Sequence, residues 1–145
     1  MVNSMLNKRV LQQTLWEKQC QKNLDEFFTN FPNDPIKAVR ALMPSLIERI
    51  PEEKKVELWK IVKTKKILSE YLDVLLPSSA SDLIPKDVLC SQNFFDLVYQ
   101  AFPKHLDIFL KVQCFKLKPL LKANYSRIKE KLPETAKLLQ KKGYC

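Results

Sequence analysis

Glycine is almost missing from this chain. Gly143 is the only one in 145 residues, against nine prolines. Glycine supplies positive φ and lets a backbone approach a phosphate closely. With one glycine there is no G-x-G-x-x-G fingerprint, no Gly-rich phosphate loop and no G-x-S-x-G elbow. Hairpins built on Asn-Gly or Gly-X turns are missing for the same reason. Turning falls to Pro, Asn, Asp and Ser, which suits helices joined by short loops. Long apolar runs are also lacking: none approaches the 18 residues of a transmembrane helix. The start, Met-Val-Asn-Ser-Met-Leu-Asn-Lys-Arg, has no continuous apolar stretch, so no secretory signal is expected.

Histidine is as scarce as glycine. His105 is the only imidazole, and Ser-His or Cys-His catalysis would depend on it. Cys114 lies nine residues further on, about 13 Å along a helix, too far to share a proton. The four cysteines, Cys20, Cys90, Cys114 and Cys145, never approach C-x₂₋₄-C spacing, so no zinc site is expected. Cys20, Cys90 and Cys114 read as small apolar core residues and Cys145 as an exposed thiol, all four free. The carboxylate pairs are explained by helix electrostatics. Glu52-Glu53 sits in a first turn, and Glu70 and Asp73 share a face with Lys66. No calcium-loop spacing exists. Neither catalysis, cofactor nor metal is expected.

What the chain does contain is helical periodicity. Residues 4–31 carry Leu6, Val10, Leu11, Leu15, Trp16, Cys20, Leu24, Phe27, Phe28 and Phe31 at three- and four-residue intervals. Asp34-Pro35 caps and opens a second helix running to about Ile50, with a kink or break at Pro44. A third helix follows Pro51, with Val56, Trp59 or Leu58, Ile61 and Val62 inward. A fourth spans about 64–76. Pro77-Ser78-Ser79-Ala80-Ser81-Asp82 reads as a loop. A short helical element is expected over Asp82–Leu89. Ser91 caps a helix with Phe94, Phe95, Leu97, Val98, Tyr99 and Phe102, and Pro103, Pro119 and Pro133 open the rest. Trp16 and Trp59 are expected to be buried, and Phe115 and Tyr125 to belong to the core. The spacing is irregular and yields no fixed repeat period. The fold class is all-α: one domain over 1–145, a compact bundle of about seven or eight short helices. The alternative is a small α-superhelix of antiparallel helix pairs.

Charge is distributed unevenly. The chain carries a net +9, and residues 103–145 hold 11 of the 25 Lys/Arg but only three of the 16 Asp/Glu. A smaller basic group is Lys60, Lys63, Lys65 and Lys66. A concentrated positive field attracts polyanions, and lysine suits point-charge contacts more than base reading. Lys116, Lys118, Lys122, Arg127, Lys129 and Lys131 are the candidate binding residues. Lys118 and Lys122 are one helical turn apart, and Lys129 extends their face if the helix continues. These observations point to an intracellular, cytoplasmic or nuclear, non-enzymatic interaction module of the adaptor or scaffold kind. It would take a peptide or helix of another protein, acidic in character, in a groove between helices. The alternatives are a sequence-tolerant nucleic-acid-binding domain and a secreted, cytokine-like bundle with two disulfides. A membrane surface is the least favoured partner.

Overall fold

Proline, rather than glycine, punctuates the backbone. The computed structural model describes residues 2–144, and side chains from residue 9 onward. All regular structure among the described residues is helical: ten α-helices and two 3₁₀ turns. They are α1 (Val2–Asn30), α2 (Pro35–Ala41), a 3₁₀ turn (Pro44–Arg49), α3 (Glu52–Thr64), α4 (Leu68–Leu75), a second 3₁₀ turn (Ser79–Leu83), α5 (Lys86–Leu89), α6 (Gln92–Ala101), α7 (Pro103–Gln113), α8 (Lys118–Ala123), α9 (Tyr125–Lys131) and α10 (Pro133–Lys141). The all-α expectation holds. The count exceeds seven or eight for local reasons. Pro44 ends α2 early and starts a 3₁₀ turn, and Asn124, at φ −112° and ψ 17°, separates α8 from α9.

The starts follow the capping chemistry. Asp34 accepts from the Lys37 amide at 3.2 Å with Pro35 at the first helical position, and Ser91 accepts from the Phe94 amide at 3.2 Å. Pro103, Pro119 and Pro133 sit in the first turns of α7, α8 and α10. Two ends share one geometry. After α10, Gly143 stands at φ 83°, its amide donating to Gln140 O and the Tyr144 amide to Leu139 O. After α3 the same two bonds run from Lys66 to Lys63 O and from Ile67 to Val62 O, but the left-handed residue is Lys66, at φ 59°.

The chain divides into two compact units, Met1–Arg49 and Ile50–Cys145. In the first, α1 buries Cys20, Leu24 and Phe27, the turn after it buries Phe31, α2 buries Ala38 and Val39, and the 3₁₀ turn buries Leu46 and Ile47. The amino-terminal part of the α1 stripe does not join this core. Val10, Leu11 and Leu15 are exposed, and Trp16 is 52% exposed. Burial of Trp16 was the wrong expectation: α1 is longer than the partners that cover it. The Arg49 guanidinium lies 4.6 Å from the Trp16 ring centroid and pairs with Glu17 at 2.8 Å. Leu6 lies outside the described side chains.

The second unit is built around rings. Trp59 on α3 meets Tyr71 on α4 and Phe94 on α6, and Phe94 meets Phe109 on α7, with centroids 5.8–6.4 Å apart. Leu72, Leu75, Leu76, Leu83, Val98, Leu106, Leu110, Leu121 and Ile128 close around them. Val56 is exposed and Ile61 half-buried, so α3 turns Leu58, Trp59 and Val62 inward. Leu97 is also exposed. Cys20 is buried as expected, whereas Cys90 and Cys114 are half-buried; all three are free. Cys145 lies outside the described residues. No helix among the described residues is long and apolar enough to cross a membrane.

Candidate basic interaction surface

The six candidate cations separate into two groups by what they touch. Arg127, on α9, is half-buried. Its Nη1 donates to Asp96 Oδ1 at 2.6 Å and to Asn124 Oδ1 at 3.4 Å, and its guanidinium covers the Tyr99 and Phe95 rings at 4.4 and 5.4 Å. Lys131 donates to the Tyr99 carbonyl at 2.9 Å and lies 4.0 Å from that ring's centroid. Lys116 donates to Asp82 Oδ1 at 3.0 Å, an oxygen that also accepts from Gln113 Nε2 at 2.8 Å. These three cations join α9 to α6 and the α7–α8 connection to the second 3₁₀ turn. Lys118, Lys122 and Lys129 are exposed and make no ion pair among the described residues.

The electrostatics follow the same division. Hydrogen bonds from Arg127 and then Gln92 hold the Asp96 carboxyl below its ordinary range, and Asp96 in turn raises Arg127. Lys118 and Lys122 sit one turn apart on α8. Lys129 stands on α9, past the break at Asn124, so its seven-residue spacing from Lys122 is not measured along one helix. The break is held by an amide pair between buried Asn124 and exposed Gln92. Asn124 Nδ2 donates to Gln92 Oε1 at 2.9 Å and to Leu120 O at 2.9 Å, while Gln92 Nε2 donates back to Asn124 Oδ1 at 2.9 Å. Periodicity gives no sign of this pair, because two ordinary polar side chains 32 residues apart carry no local signal.

The two aromatic residues among the lysines part company. Tyr125 is half-buried and donates to Gln140 Oε1 at 3.0 Å. Phe115, placed in the core by its spacing, is 81% exposed. It lies in the turn after α7, where helical periodicity no longer describes which way a residue faces. His105 is half-buried and its Nε2 lies 2.8 Å from Asp73 Oδ1. That bond engages the only imidazole and one member of the Glu70–Asp73 pair in a contact between α7 and α4. No group of three or more His, Cys, Asp or Glu among the described residues could hold a metal ion.

The second unit carries a regularity that becomes visible only with its cross-links. Pro51, Pro85 and Pro119 recur at intervals of 34 residues, each at the start of a helix. At the same interval Tyr71-Leu72-Asp73-Val74-Leu75-Leu76 on α4 is matched by His105-Leu106-Asp107-Ile108-Phe109-Leu110 on α7. The cross-links repeat as well. His105 bonds Asp73, and Thr135 donates to Asp107, the residue matching Asp73. Glu52 accepts from the Lys86 amide at 2.5 Å, again 34 residues away. The proline spacing was available from sequence alone, but three prolines among nine are too few to establish a period without the bonds. The chain matches no protein-family model, and neither curated proteins nor solved structures give a significant match.

Proposed function

We propose that the chain is a non-enzymatic, intracellular interaction module whose basic carboxy-terminal third meets an acidic partner protein. The observation that carries this reading is the division of the cations. Arg127, Lys116 and Lys131 already have carboxylate, carbonyl or ring partners, whereas Lys118, Lys122 and Lys129 stand exposed without an ion pair among the described residues. Unneutralised lysines on exposed helix faces attract and steer an oppositely charged partner. The repeated Asp73 and Asp107 bonds favour the α-superhelix over the compact bundle for the second unit, each repeat contacting the next. Stacked helices of that kind present extended surfaces, which suits a binding module.

Nucleic acid is the second reading. Exposed Phe115, flanked by Lys116 and Lys118, has the elements of a stacking contact. Binding of labelled poly-L-glutamate and of a single-stranded oligonucleotide, measured from low to physiological salt, separates the two. The proposal expects polyglutamate binding that falls with salt and is lost in the K118E/K122E/K129E variant. Each reversal at an exposed site should leave stability within about 0.5 kcal/mol. Undiminished polyglutamate binding by the folded variant would refute the assignment. A much tighter oligonucleotide complex at equal salt would replace it with the nucleic-acid reading.

A further inference from the structure

The outer face of α7 is unlike that of a solvated helix. Leu106, Phe109, Leu110 and Gln113 are buried. The opposite side carries Lys104, Ile108, Lys111 and Val112, and ends at Phe115. Ile108 and Val112 are each 43% exposed. The repeat extends this face to the neighbouring helix. Thr135 on α10 bonds Asp107 as His105 on α7 bonds Asp73, so the two donors correspond in role although they lie 30 residues apart rather than 34. The same 30-residue step carries Ile108 to Leu138, itself 37% exposed, and Lys111 to Lys141. Two adjacent helices therefore show the same pair, an exposed aliphatic residue followed one turn later by lysine. Between them lies a groove of about 480 Å³, lined by Asp107, Lys111, Lys131, Glu134, Thr135 and Leu138 among others.

We infer that this face docks an acidic amphipathic helix of a partner protein, its apolar stripe on Ile108, Val112, Phe115 and Leu138 and its carboxylates on Lys104 and Lys141. The inference rests on the acidic-partner reading above and adds where that partner sits and what shape it has. Charge selects the occupant. Asp107 neutralises Lys111, whereas Lys104 and Lys141 are exposed and make no ion pair among the described residues, so the face offers the partner these two ammonium groups beside aliphatic surface. A second copy of this chain, with net charge +9, would set lysine rows against each other. A nucleic-acid backbone would meet the lysines but has no use for Ile108, Val112 and Leu138. An amphipathic helix presents apolar anchors at i, i+3, i+4 and i+7 with acidic flanks, the pattern that complements both features.

The test uses the full chain and two labelled synthetic peptides of about 20 residues and identical Leu/Glu-rich composition. One is patterned as an amphipathic helix and the other scrambled. Fluorescence anisotropy at physiological salt should show the patterned peptide binding about tenfold or more tighter than the scramble. I108E/L138E and F115A should each weaken it by about tenfold while far-UV circular dichroism stays unchanged. K118E/K122E/K129E, which reads the other lysine cluster, should change the ratio between the peptides little. Equal binding of the two peptides, or an I108E/L138E variant that binds normally, overturns the docking site. Polyglutamate binding that is still sensitive to K118E/K122E/K129E would then leave the acidic-partner reading standing by itself. Self-association of the wild-type chain abolished by I108E/L138E would identify a second copy as the occupant and refute the proposal.

Discussion

Lys66 is the sharpest place to test the backbone reasoning. It occupies the left-handed position that closes α3, at φ 59°, where Gly143 closes α10 at φ 83° with the same two hydrogen bonds. A side chain in this region costs about 1–2 kcal/mol. Glycine relieves that strain but loses about 0.5–1 kcal/mol more backbone entropy on folding. Lys66→Gly should therefore stabilise the protein by about 0.5–1 kcal/mol relative to Lys66→Ala, which removes the same charge near the α3 terminus and keeps the strain. Gly143→Ala should act in reverse. A Cβ at Gly143 would meet no atom within 4 Å, so its whole cost is conformational, about 0.5–1 kcal/mol. Urea unfolding followed by far-UV circular dichroism measures all three variants against the wild type, with the midpoint interpreted only where the slope is unchanged. If the glycine variant at position 66 is no more stable than the alanine variant, or Gly143→Ala is neutral, the cap geometry is not what limits these helix ends.

Two further tests concern the tryptophans and the Asp96–Arg127 contact. Trp59→Ala should destabilise by about 3–5 kcal/mol, since its ring packs on Tyr71 and Phe94. Trp16→Ala should cost about 1 kcal/mol, the scale of an exposed cation–π contact, and equal losses at the two sites would contradict the exposure of Trp16. The depressed Asp96 carboxyl contributes stability that is present above its unfolded value of about 3.9 and is lost as pH falls through the lower folded value. Asp96→Asn should therefore flatten the fall in stability between about pH 5 and pH 2, and an unchanged slope in denaturation midpoints across that range would exclude Asp96 as a source of acid sensitivity.

The all-helical class was decided by local chemistry that is legible in the chain. Scarce glycine and the spacing of Leu, Phe and Ile bear directly on backbone conformation, and Asp34-Pro35 and Ser91 mark helix starts through bonds that span three residues. Periodicity also marked Phe94, Phe95 and Val98 of α6, which are buried, but it marked Leu97 with them, and Leu97 remains exposed. That outcome depends on how much neighbouring surface exists to cover a stripe. Trp16 fails for the same reason: its position on the α1 stripe is local, but its burial requires a partner at that height of the helix. The candidate surface shows the limit most clearly. The positive charge of residues 103–145 is a property of composition. Which cations remain available was decided only by tertiary structure, because Arg127, Lys131 and Lys116 find Asp96, Tyr99 and Asp82 more than 30 residues away. Two side chains so far apart approach only when the backbone between them is folded, so their pairing leaves no trace in the local pattern.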